Sequence, residues 1–167
     1  MHVVFYLAAL LVVIADQLSK WWINKLSSNL AAGGSLFELG LFHIRRISNT
    51  GAAFGLFQGH SCLLTIVDVI GVVAILLVAL VFYRHFPFLH NRLGKLSLGL
   101  VLGGTIGNLI DRLRLGAVTD FIDFRVWPAF NIADASITVG VILLAYSLIF
   151  LTGASSTRPD SPSSPDR

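Results

Sequence analysis

Long apolar stretches separated by polar segments set the pattern of this chain. Four stand out, at 3–23, 63–83, 96–110 and 135–151. Asp16 and Lys20 interrupt the first and Asp68 the second, while the third and fourth carry no charge. A helix of about 20 residues crosses the hydrocarbon core of a bilayer. The four stretches therefore predict four transmembrane helices, the short third one completed by its polar end. The first is a poor secretory signal: it lacks a basic n-region, and Asp-Gln-Leu-Ser-Lys (16–20) stands in place of a small-residue cleavage site.

The segments between the stretches are unequal. The loop 84–95 is short and basic, with Arg84, Arg92, Lys95, His85 and His90. The positive-inside rule makes it cytoplasmic, although Arg45, Arg46, Arg112 and Arg114 stand on the opposite side. An even helix count then puts both termini in the cytoplasm and the loops 24–62 and 112–133 outside. Within these loops "LFHIRRIS" (41–48) and "DFIDFRVW" (120–127) are rich in β-branched and aromatic residues and predict strands. "NTGAAFG" (49–55) reads as a turn, so a small sheet is expected to rest on the membrane surface. Residues 1–152 form one membrane domain in this reading. The tail 153–167, "GASSTRPDSPSSPDR", has no large apolar residue and is expected to be disordered.

Composition strengthens the membrane assignment. Of 167 residues, 55% are hydrophobic and 13% charged, against about 25% charged in ordinary soluble domains. Mean hydropathy is +0.80. A net charge of +3 without a basic block argues against a nucleic-acid partner. The single cysteine, Cys62, excludes an internal disulfide, and the five histidines show no zinc-type spacing with it.

Ionisable groups inside apolar stretches mark function by default. Asp16 and Lys20, at i and i+4, suit an ion pair, or Lys20 extends to the interface and neutralises Asp16. Gly99, Gly103 and Gly107 recur every fourth residue and allow another helix to approach closely. Beside them run Gly104, Asn108 and the Asp111–Arg112 pair, either a packing face with a self-neutralised end or part of a site. In an extended 120–126 segment, Asp120 shares a face with Ile122, Phe124 and Val126. Asp123 shares the other face with Arg125, a ready partner. Asp134 has no adjacent cation. It can serve as N3 of a helix capped by Asn131, stabilising the positive end of the helix dipole. Alternatively, Asp120 and Asp134 form a carboxyl pair. Two close carboxylates do not both ionise cheaply, so one keeps a proton and the other activates water. Spacing alone leaves both readings open.

The motifs "DQLSK" (16–20), "NTGAAF" (49–54), "GNLIDR" (107–112), "VTDFIDF" (118–124) and "PAFNIADASI" (128–137) appear in this order across residues 10 to about 150. Together they closely resemble bacterial lipoprotein signal peptidase, or signal peptidase II. The resemblance implies an all-α integral membrane protein with four transmembrane helices, a small periplasmic β-cradle and a short amphipathic helix. It implies an aspartic endopeptidase of the cell inner membrane that cuts prolipoproteins before a diacylglyceryl-modified cysteine. The catalytic pair falls on Asp120 and Asp134. Substrate-binding or supporting positions fall on Asp16, Lys20, Asn49, Gly51, Asn108, Asp111, Arg112, Asn131 and Ala133.

Neither a metal nor another cofactor is expected. Expected partners are prolipoproteins, membrane lipids and globomycin-type inhibitors, with the enzyme acting as a monomer. Cap hydrogen bonds favour Asp134 as the ionised member. The three asparagines are assigned to orienting substrate, and the Asp16–Lys20 and Asp111–Arg112 pairs to fixing helix geometry. A proton-coupled transporter using Asp16, Asp68 and Asp111 is a rival that predicts tolerance of change at Asp120. A metal-dependent head-group transferase is another, and predicts sensitivity to chelators.

Overall fold

The computed structural model describes residues 3–28, 34–52, 56–82, 85, 86, 89 and 91–151. In chain order these form α1 (Val3–Ser27), β1 (Phe37–Leu39), β2 (Phe42–Asn49), α2 (Ser61–Leu76), α3 (Arg92–Leu115), β3 (Val118–Asp123) and α4 (Ile132–Tyr146). Wider π turns prolong α2 through Leu77–Val81 and α4 through Ser147–Leu151. Four helices are long and apolar enough to cross a membrane: Val3–Ser27, Ser61–Val81, Arg92–Leu115 and Ile132–Phe150. Their outward faces carry exposed Leu10, Leu11, Ile66, Ile70, Val141 and Ile142, a surface suited to lipid rather than water. The expected tail lies outside the described residues, as do Arg84 and His90 of the basic loop.

At the centre, α3 packs against α1, α4 and α2. Glycine is what lets it do so. A Cβ at Gly103 would stand 2.7 Å from the Ala9 carbonyl oxygen of α1, and one at Gly104 would stand 2.5 Å from the Ala133 carbonyl oxygen of α4. The stripe seen in the sequence thus serves two neighbours, Gly99, Gly103 and Gly107 facing α1 and Gly104 facing α4. Below these contacts Phe5, Ala9, Ala79, Leu89, Leu98 and Leu102 form the apolar core.

The sheet has the order β1-β2-β3 and is antiparallel throughout. β2 pairs with β3 through His43↔Asp123, Ile47↔Asp120 and Asn49↔Val118, with a bulge between Ile44 and Ile47. Two expectations need correction. β3 begins at Val118 and ends at Asp123, so it lies earlier than the predicted 120–127 strand. Arg125 adopts φ 59°, a left-handed conformation that breaks extended alternation. The strand β1 was not foreseen, being three residues long. The short amphipathic helix expected in the outer loops has no counterpart among the described residues, where 56–59 forms a turn.

Candidate active site

The polar residues collect at one end of the bundle, beneath the sheet. Asn131 caps α4: its side chain accepts from the Asp134 amide at 3.0 Å, and the Asp134 carboxylate accepts from the Asn131 amide at 3.2 Å. This reciprocal capping box is the one foreseen in the sequence. It fixes the Asp134 side chain at the first turn of α4. The other Asp134 oxygen accepts from Asn108 Nδ2 of α3 at 2.7 Å.

Asp120, only 2% exposed, sits in the middle of β3. Its two oxygens accept from Asn49 Nδ2 at 2.9 Å and Asn131 Nδ2 at 2.8 Å. Gly51 sets the Asn49 amide, because its backbone N–H donates to Asn49 Oδ1 at 2.9 Å and leaves the amide nitrogen for Asp120. Burial first, and then the neighbouring Asp134 charge, push the Asp120 carboxyl up to about 7, against the Asn49 and Asn131 donors. Each of the three asparagines directs an amide N–H at Asp120 or Asp134.

The support lies one layer deeper. Lys20 is 2% exposed and does not extend to the interface. Its ammonium pairs with Asp16 at 2.8 Å and Asp111 at 3.3 Å and donates to Asn108 Oδ1 at 3.1 Å. Asn108 Oδ1 also accepts from Asn131 Nδ2 at 3.2 Å. The buried cation thereby orients the Asn108 amide, whose nitrogen must then face Asp134. Asp16 Oδ1 accepts from the Ala133 amide at 3.0 Å, tying α1 to the start of α4. Asp111 accepts from the Thr119 amide at 2.9 Å, tying α3 to β3. Gln17, not singled out in the sequence although it stands inside "DQLSK", donates to Asp16, Asp111 and the Gly107 carbonyl at 3.1–3.2 Å.

Two ion pairs differ from expectation. Arg112 does not neutralise Asp111; its Nη1 contacts Asp68 of α2 at 2.5 Å. Asp123 pairs with Arg45 Nε of β2 at 2.7 Å, and Arg125 contributes only its backbone amide, at 2.9 Å. Burial pushes Asp123 up, but the Arg125 amide and the Arg45 guanidinium outweigh it and hold the carboxyl below its usual range. Two acids of one strand are thus driven in opposite directions. Asp120 and Asp134 line a single cavity of about 510 Å³, together with Asn49, Gly51, Asn108 and Arg112. Its remaining wall includes Trp127, Pro128, Phe130, Ile137 and Val139. Asp123 instead faces a polar cleft with Ser35, Glu38, His43, Arg45 and Arg125. A buried and a half-buried carboxyl sharing one cavity with an apolar wall suit proton transfer on an apolar substrate.

The chain as a whole is similar to known proteins. A lipoprotein signal peptidase of Dehalococcoides mccartyi is 49% identical over 145 residues, covering 86% of this chain and 88% of the relative. One from Moorella thermoacetica is 45% identical over 156 residues, covering 93% and 99%. A solved bacterial membrane enzyme superposes with a TM-score of 0.76 at 31% identity, covering 95% of this chain and 94% of that one. Residues 8–150 match the family described as Signal peptidase (SPase) II. With that match spanning most of a multi-pass membrane protein, the chain belongs to the lipoprotein signal peptidase family and is a protease.

Proposed function

We propose that this protease removes the signal peptide from prolipoproteins by cutting before a diacylglyceryl-modified cysteine, with Asp120 and Asp134 as its catalytic pair. The observation that carries this reading is their meeting in one cavity, each fixed by asparagine amides. The carboxylate of Asp134 takes a proton from water, and the water oxygen attacks the scissile carbonyl carbon. Asp120, its carboxyl pushed up to about 7, donates its proton to the carbonyl oxygen. The tetrahedral intermediate returns that proton to Asp120 as the carbonyl re-forms. The proton held by Asp134 passes to the departing amide nitrogen, and the C–N bond breaks. The products are a carboxylic acid on the signal peptide and a free amine on the lipidated cysteine.

The surroundings support the substrate class. A signal peptide is an apolar helix, and each buried lipid CH₂ contributes about 0.8 kcal/mol to membrane retention. Ile137 and Val139 give the cavity an apolar wall on α4, on the side where acyl chains would lie. The peptide must be extended at the cut, and exposed backbone at membrane depth needs protein around it. The sheet over the acid pair supplies that cover. The basic loop between the second and third spans supports a site at the outer face of the bacterial inner membrane, with both termini cytoplasmic.

The test is cleavage of a prolipoprotein carrying diacylglyceryl cysteine by purified protein in lipid, with and without EDTA. Wild type is expected to cut in both, Asp120→Asn and Asp134→Asn to lose cleavage, and Asp123→Asn to retain it. Wild-type rates in both Asp120→Asn and Asp134→Asn would refute the pair, and loss of cleavage in EDTA would favour metal chemistry.

A further inference from the structure

Asp68 is an acid on an otherwise uncharged α2, and the proposed reaction makes no use of it. A carboxylate in a membrane span is costly unless it is paired. Its Oδ2 lies 2.5 Å from Nη1 of Arg112, and the two side chains are only 16% and 10% exposed. Arg112 lines the cavity that holds Asp120 and Asp134. The acid next to it in sequence, Asp111, is engaged with Lys20, Gln17 and the Thr119 amide. Asp134 is engaged with Asn108 and Asn131. Among the described residues, Asp68 is the acid in ion-pair contact with this arginine.

We propose that Asp68 is a positioning residue for substrate: it anchors the Arg112 guanidinium in the cavity wall and offsets its charge. Arg112 then meets neutral carbonyl oxygens of the substrate instead of closing on Asp134. The inference rests on the cavity being the prolipoprotein site. A guanidinium has five N–H donors in a planar fork, and the contact with Nη1 leaves donors for a second acceptor. The expected acceptors, peptide and ester carbonyls, are uncharged. An arginine already balanced by Asp68 can bind them without a net charge being buried with the lipid. Without Asp68, the cation would sit in a low-dielectric cavity beside a carboxylate, where attraction between opposite charges is strong. Arg112 and Asp134 line the same cavity. The partner of the arginine therefore decides whether it supports or blocks the pair.

A double-mutant cycle in the lipidated-prolipoprotein assay tests this, with Asp68→Asn, Arg112→Gln and the combination, plus Asp68→Glu as the conservative variant. Asp68→Asn is expected to lower kcat/KM by about tenfold or more, mainly through KM, and Asp68→Glu to recover most of it. Acting through Arg112, the Asp68→Asn change should add less than about twofold to Arg112→Gln. A purely architectural role would multiply the two losses and would overturn the proposal. So would an Asp68→Asn enzyme with wild-type kcat/KM. If Asp68→Asn leaves an unstable protein, the double variant decides, since neither charge is then buried alone. It must fold and match Arg112→Gln, and failure to match refutes the inference. Uncut substrate with the wild type would instead overturn the proposed function, so the two failures remain distinct.

Discussion

Replacing Lys20 by methionine should destabilise this protein far more than replacing Arg45 by methionine, although each change deletes a cation that contacts carboxylate. Lys20 is 2% exposed and stands between Asp16 at 2.8 Å and Asp111 at 3.3 Å, with Asn108 Oδ1 at 3.1 Å. Methionine fills similar space but leaves two carboxylates facing each other without a cation. Breaking a buried ion pair by removing one partner costs about 3–5 kcal/mol. Arg45 holds Asp123 at 2.7 Å, but its side chain is 41% exposed and its charge is screened by water. Such exposed pairs contribute about 0–1 kcal/mol. For a chain of this size about 1 kcal/mol moves Tm by roughly 2–4 °C. Lys20→Met should therefore lower Tm by roughly 6–20 °C, and Arg45→Met by at most about 4 °C. Thermal unfolding in one detergent, followed by tryptophan fluorescence, reads both. Adding Asp16→Asn to Lys20→Met should return part of the loss by removing one stranded charge. An equal or larger fall for Arg45→Met would refute the reasoning that burial, and not contact distance, sets the worth of these pairs.

Stability should also depend on pH through Asp120, whose folded carboxyl is pushed up to about 7 from an ordinary 3.8. Between those values the folded state binds the proton that the unfolded state releases, so this contribution falls as pH rises from about 4 to about 7 and is level outside that window. Asp120→Asn should consequently raise Tm relative to wild type at pH 8 and lose that advantage at pH 5; equal offsets at both pH values would contradict the raised carboxyl. Cleavage should fade on the alkaline side as the same proton leaves, with a midpoint near 7, read from the pH profile of kcat/KM. Gly104→Ala puts a methyl 2.5 Å from the Ala133 carbonyl oxygen and should cost about 1–3 kcal/mol, with a larger loss of activity as the 2.7 Å Asn108–Asp134 contact opens. Gly71→Ala, where a Cβ finds nothing nearer than Thr105 Cγ2 at 3.7 Å, should leave both Tm and cleavage unharmed.

What could be read in the sequence was local and periodic. The spans follow from runs of apolar residues, the Asn131–Asp134 cap from spacing within one turn, and the Asp16–Lys20 pair from i, i+4 geometry. The β2 strand, expected over 41–48 from its β-branched and aromatic residues, runs Phe42–Asn49. The two ion-pair errors share a cause: each assigned a charge to its nearest neighbour in sequence. Arg112 pairs with Asp68 and Asp123 with Arg45, across 44 and 78 positions. Helix packing and strand register create those contacts, and neither leaves a period in the chain. Gln17 escaped notice because an uncharged amide is conspicuous only once the three oxygens around it are known. Strand parity pointed to Asp120 as the unusual acid of its pair, yet for an incomplete reason, since β3 ends before Arg125.

The cap of α4 has one more consequence. The same turn that starts the membrane-spanning helix carries Asp134, so the depth of the acid pair is tied to the depth at which that helix enters the bilayer. If the pair cuts as proposed, a peptide bond must reach it from a helix that has unwound at that level. Selection of the bond then works as a ruler as well as a lock. A substrate whose apolar segment is lengthened by a turn, about 5.4 Å, would present a different bond at the same height, whatever residues flank it.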